Sequence, residues 1–220
     1  MRAILRCLVM SMLTLIGVGA AAAAAPPESG LVAVPSTTFD EFYRRPGIDL
    51  AAYRRVVIEA PTVEFAKDWL KRMNESRSVT RPVSTADADE IRRRMADGLQ
   101  LVLKQSLAAH GFEISDSGGP GVLRLAPSIS DLFVYAPFAP GPGIDVGVVH
   151  REAGQATLRL DFRDAVTGAL LARIVDRDVA RTVGGFDQAT SVSNLFWFEG
   201  MFRRWADDCA RAIGVGAVPH

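Results

Sequence analysis

The stretch "LRLDFRDAVTGALLARIVDRD", residues 158 to 178, decides the fold class. Leu158, Leu160 and Phe162 alternate with Arg159, Asp161 and Arg163, the period of two that marks a strand buried on one face. The loop "AVTGA" lies between Asp164 and Leu170, and Gly168 supplies the left-handed residue such loops need. Closing the loop there sets Phe162 against Ala172 and Leu160 against Ile174 on the core side. Asp161 then meets Arg173 on the wet side, so most of the charges become cross-strand pairs, each worth a few tenths to about 1 kcal/mol. The same register places Asp176 on the core face opposite Leu158. The residues leave its partner open, between an arginine, a position at the end of the sheet and a bound cation.

After this hairpin, "TSVSNLFWFEGMFRRWADDCARAIG" puts Phe198, Phe202, Trp205, Cys209 and Ile213 on one helical face, with Gly214 as a stop. Before it, "VLRLAPSISDLFVYAP" runs extended from Val122 to Pro137, and Pro127 marks an edge or a bulge. Together with "FEI" at 112 to 114, across the break "SDSGGPG", it reads as a second hairpin. Residues 137 to 147 are dense in proline and glycine and read as a mobile loop. Further upstream, Ser84 and Thr85 open a helix with acids in its first turn. Ile91, Met95, Leu99, Val102 and Ser106 form its stripe, and Gly111 follows its end. Val56, Val57 and Ile58, stopped by Pro61, make the first strand. Between them, residues 62 to 83 fit either an extension of the sheet through Val63 and Phe65 or a short helix through Phe65, Trp69 and Met73. The expected fold is α+β: a single mixed or antiparallel sheet of about five strands with two main helices packed on it, in the order β-α-β-β-β-β-α.

The chain begins with Arg2 and Arg6, an apolar run from Cys7 to Val18, and small residues from Gly19 to Ala25. This reads as a secretory signal peptide over residues 1–25, cut among Ala20 to Ala25. The rival is an uncleaved anchor, since about 19 uncharged residues approach the roughly 20 of a spanning helix. Residues 26–38 read as a flexible arm, 39–214 as a single domain and 215–220 as a disordered tail. Cys7 lacks the small-residue context of a lipid-modified cysteine, and losing the leader leaves only Cys209, so no internal disulfide holds the fold. Lys and Arg number 25 against 25 Asp and Glu, and the leader takes two of the arginines. Such a chain is not drawn to nucleic acid or to an anionic membrane surface.

Catalytic constellations are hard to build from these residues. Asp164 with Thr167 and Gly168 approaches an aspartic-protease loop only with two residues intervening, and no second copy completes a proton-sharing pair. His110 closes a helix, His150 lies beside the Gly/Pro loop, His220 ends the chain, and no two histidines have metal-ligand spacing. Cys209 falls on an apolar stripe and reads as a buried, inert thiol. No Gly-x-Ser-x-Gly elbow or phosphate loop occurs. The expectation is no catalytic residue, no cofactor and no metal. The cluster "NLFWFEGMF" carries Leu195, Phe196 and Trp197 off the apolar stripe. These three, with Phe138 and Ile144 of the Gly/Pro loop, are the candidate partner or ligand surface.

"YRRVVIEAPTVEF", "LAAHGFEI", "VLRLAPSISDL" and the hairpin at 158 to 178 together resemble the bacterial envelope family catalogued as domain of unknown function 3313, over roughly residues 38 to 213. Asp164, Thr167 and Gly168 are its hairpin mark. The resemblance implies an envelope protein, commonly lipid-anchored, and brings no catalytic residues. The resulting expectation is an exported, non-enzymatic periplasmic domain that binds another envelope protein through an edge strand or the aromatic cluster, touching the membrane only through an uncleaved leader. The alternatives are a carrier of an apolar small molecule or lipid, with the Gly/Pro loop as lid, and an uncharacterised secreted enzyme.

Overall fold

The computed structural model describes residues 30–76, 82–135, 152–181 and 191–214, the side chains of 191–196 excepted. The leader, Phe138, Ile144, His150, His220 and the tail lie outside the described residues, as do the side chains of Leu195 and Phe196. The elements are β1 (Val32–Ala33), β2 (Glu41–Arg44), β3 (Arg55–Ile58), β4 (Thr62–Phe65), α1 (Trp69–Glu75), α2 (Thr85–Ala109), β5 (Glu113–Ile114), β6 (Val122–Val134), β7 (Glu152–Asp164), β8 (Leu170–Arg181) and α3 (Ser191–Gly214).

The fold is α+β, but its sheet has eight strands rather than five, in the order β1-β2-β8-β7-β6-β3-β5, with β4 also paired to β6. The hairpin sits at the centre. Phe162 pairs with Ala172, Leu160 with Ile174, Asp161 with Arg173 and Leu158 with Asp176, as the alternation predicts. Only the closure differs: a bulge after Phe162 brings Arg163 opposite Leu170.

The additional strands carry weak local signals. β1 and β2 are two and four residues long, and β2 pairs antiparallel with β8, far away in sequence. Part of the expected arm therefore belongs to the sheet. β4 and α1 show that both readings of residues 62 to 83 hold, one after the other. The second hairpin is overturned: β5 and β6 do not pair, because β3 lies between them, parallel to both. Pro127 is interior to β6, neither at an edge strand nor at its bulge. β3 pairs with residues 122 to 125 of β6 and β4 with 128 to 132. A residue without an N–H thus falls where that side of β6 has no strand partner.

Ser84 caps α2 in a reciprocal box with Asp87, and Gly111 ends it with φ +85°. Met95, Leu99, Val102, Leu103 and Leu107 are buried against the sheet and α3, as are Phe198, Met201, Phe202, Trp205, Cys209 and Ile213 of α3. Both long helices pack on one sheet face. From Leu123 the residues of β6 alternate strictly between buried and part-exposed until Asp131, where φ is +52° and the register to β7 shifts. Among the described residues no helix is long and apolar enough to cross a membrane.

Candidate functional site

The hairpin turn is built by Asp164. Its Oδ1 accepts from the N–H of Val166 (3.1 Å) and of Thr167 (2.8 Å) and from Thr167 Oγ1 (2.9 Å). Its Oδ2 accepts from Tyr53 Oη at 3.1 Å. Gly168, with φ +70°, donates its N–H to the Asp164 carbonyl at 2.9 Å. The bonds from Thr167, backbone first, hold the carboxyl below the usual aspartate range. With both oxygens engaged, the mark Asp164–Thr167–Gly168 is a turn and a brace to Tyr53.

Asp161 departs from its expected place on the wet side: it is only 5% exposed. Three long arginines fold over the short carboxylate. Arg173 donates to both of its oxygens at 2.6 and 2.9 Å, Arg159 to both at 3.3 Å, and Arg163 to Oδ2 at 3.1 Å. Burial pushes the pKa up, but the hydrogen bonds from Arg173 and Arg159 and their charges outweigh it and hold it at about 2.

Asp176 faces the core as the register requires, and its partners are an indole and a backbone N–H. Oδ2 accepts from Trp205 Nε1 at 2.7 Å, and Oδ1 from the Asp40 N–H at 3.1 Å. Asp40 in turn accepts from the Arg177 N–H at 2.9 Å. The carboxylate thereby ties β8 to α3 and to the start of β2. Burial raises its pKa, against the opposing pull of the Trp205 and Asp40 hydrogen bonds. Sequence reasoning missed Asp40, since nothing local links residues so far apart.

Trp197 is a correction: it was expected on an exposed patch and is 5% exposed. α3 packs against both the sheet and α2, so it buries a wider arc than one stripe. Leu195 and Phe196 lie within α3, and Phe138 and Ile144 outside the described residues, so no aromatic surface is assembled from the described ones. Cys209 is buried, and burial pushes its thiol pKa strongly up. His110 Nδ1 lies 2.8 Å from the Ser106 carbonyl, at the end of α2. Among the described residues no group of His, Cys, Asp or Glu could hold a metal ion.

Two concavities are lined by described residues. A groove of about 470 Å³ lies between the Val34–Phe39 segment and the end of α3, with Phe39, Phe42, Leu50 and Ile213 in its lining. A second cleft, of about 590 Å³, is walled by α1 and the turn before it and floored by Asp131, Gln155 and Arg177 of the sheet. The open sheet face bears Arg124, Arg159, Arg163, Arg173, Arg177 and Arg181 on adjacent strands. Sequence reasoning had absorbed those of the hairpin, Arg159, Arg163, Arg173 and Arg177, among its paired charges. Their shared face was nonetheless readable from the alternation.

In shape the chain is similar to the PelC dodecamer from Paraburkholderia phytofirmans (10% identity, TM-score 0.35, covering 74% of this chain and 96% of that one). It is also similar to a minor lipoprotein from Acinetobacter baumannii (15%, 0.33, 76% and 97%). A third is a neuraminyllactose-binding hemagglutinin homolog from Helicobacter pylori (12%, 0.33, 73% and 83%). At these scores the likeness supports no functional reading. No curated protein matches. The model of a family described as protein of unknown function, DUF3313, matches residues 27–209. That span takes in β1, the hairpin with its Asp164 turn, and α3 as far as Cys209, and the chain belongs to this family.

Proposed function

We propose that this chain is an exported, non-enzymatic domain of the bacterial cell envelope that binds another envelope protein over the open face of its sheet. The observation that supports the reading is the one-sided burial of β6, β7 and β8: most inward side chains are buried while most outward ones reach solvent. Both long helices lie on the other side, so the open face is a broad, rigid platform. The acids best placed for chemistry serve the fold instead, Asp164 in a turn, Asp161 under arginines and Asp176 on an indole. A photo-reactive amino acid placed at Ser128, Thr157 or Val175 in living cells should cross-link one envelope protein. The same residue at Leu101 or Lys104 on α2 should not. Absence of a product from the open face, or equal yield from both faces, would overturn the reading.

The second reading, a carrier of an apolar molecule, is favoured by the groove at the end of α3, whose lining includes Phe39, Phe42, Leu50 and Ile213. Native mass spectrometry of protein from the periplasm tests it. A co-purifying lipid-sized mass supports the carrier, and consistent absence counts against it.

A further inference from the structure

Building on the open-face reading, we propose that the partner presents a short acidic segment, and that Arg159, Arg163, Arg173 and Arg177 receive it. Three of these guanidiniums share the single carboxylate of Asp161, which leaves positive charge in surplus at the middle of the face. Glu41, on the neighbouring strand, offsets part of it and accepts from Tyr43 Oη at 3.0 Å. Arg177 lies further along β8 on the same face, is exposed, and has no side-chain ion pair among the described residues.

The side chain of Arg173 is 13% exposed, but those of Arg159 and Arg163 are 49% and 36% exposed. Their outer N–H groups remain available, since each guanidinium has five donors. Asp161 holds the three forks in place before any partner arrives, so docking freezes little additional side-chain motion. Arginine forks match carboxylates in paired fashion.

The margin of the face, unlike its middle, carries acids beside its cations, and this selects the shape of the partner. Glu59 stands 3.6 Å from Arg124, and Glu152 stands 3.6 Å from Arg181. Asp68, Glu75 and Asp131 line the cleft beside α1, interleaved with Lys67, Lys71, Arg72 and Arg177. A broad anionic plane such as a bilayer would press its phosphates against those marginal acids. A narrow acidic segment lies over the central arginines, clear of Glu59 and Glu152, and one end reaches Lys67, Lys71 and Arg72 in the cleft.

The test uses protein purified from the periplasm and a fluorescent peptide of alternating Glu and Ser, read by anisotropy. Wild-type protein should bind it, more weakly as salt rises. The variant R159E/R177E should bind at least about tenfold more weakly, and R203E on α3 should match wild type. R177E alone, which touches no ion pair of the fold, should already weaken binding. No binding by wild type, or equal binding by the reversed variants, overturns the proposal. So does binding to phosphatidylglycerol vesicles, rather than to the peptide, that the reversals abolish. In cells, loss of the Ser128 cross-link in R159E/R177E supports the acidic segment. A retained cross-link overturns it while leaving the open-face reading intact, and no wild-type cross-link defeats that reading itself.

Discussion

Asp161 and Asp176 sit three positions apart on the hairpin's scale of register, yet their charges act in opposite directions. The folded pKa of Asp161 is held at about 2, against an ordinary 3.8. A depressed carboxylate contributes stability in full above its unfolded value and loses it as pH falls through the folded one. The window is therefore about pH 4 to 2, and the contribution is about 2 kcal/mol. Asp161→Asn should remove that acid-side dependence and cost about 2–4 kcal/mol at pH 7, because Arg173 is left nearly buried without its counter-charge. Urea denaturation at pH 7 and pH 3 measures both, and an unchanged pH dependence would assign the effect elsewhere. Asp176 is raised by burial, so its charge costs stability at neutral pH, and the cost lifts as pH falls toward its folded value. Asp176→Asn removes the charge but has one acceptor oxygen for two donors, so it keeps the bond from Trp205 Nε1 or from the Asp40 N–H and not both, and should cost about 1 kcal/mol. Asp176→Ala strands Trp205 Nε1 and the Asp40 N–H and should cost about 1–3 kcal/mol, followed by tryptophan fluorescence.

At the scale of elements, β7 meets α3 at a point where only glycine fits. A Cβ on Gly154 would lie 2.1 Å from the Phe133 carbonyl oxygen and 2.7 Å from Phe198 Cζ. The first obstacle is backbone of the neighbouring strand, so the ladder itself must shift. Gly154→Ala should cost about 3 kcal/mol or more, while Gly119→Ala, with open space around it, should be close to neutral. Calorimetric melting of the two variants makes the comparison. Elements with signals of their own were legible beforehand. α2 carries its cap at Ser84 and its stop at Gly111, and the hairpin carries its alternation and Gly168. Pairings between distant segments were not. β3 lies parallel to β5 and β6, and a parallel pairing leaves no turn residue to mark it. The candidate site divides along the same line: Asp164 and the core-facing Asp176 follow from local register, whereas the burial of Asp161 depends on arginines from two strands folding over it.

For the whole molecule, the decisive join is between the beginning and the end of the domain. β2 is the strand that covers β8, pairing Glu41 to Arg44 with Val175 to Ala172. The Arg45 N–H continues the contact to the Leu171 carbonyl at 2.7 Å. Phe39 and Tyr43 are buried there, Phe42 packs on the core, and Asp40 supplies an N–H to Asp176. A chain starting at Arg45 would lose all of this. Burial of three aromatic side chains is worth about 1.5–3 kcal/mol each. At 2–4 °C per kcal/mol for a domain of this size, the melting temperature should fall by about 10 °C or more. β8 would then lose its strand cover over Ala172 to Val175, which invites pairing with a second copy, so light scattering should report more association than in the full chain. A chain starting at Pro35 removes β1 and should associate no more than the full chain, with a small loss of stability. If the shorter chain instead melts as the longer one does and associates no more, residues 35 to 44 are a tether. The central hairpin would then need no cover on its β8 side.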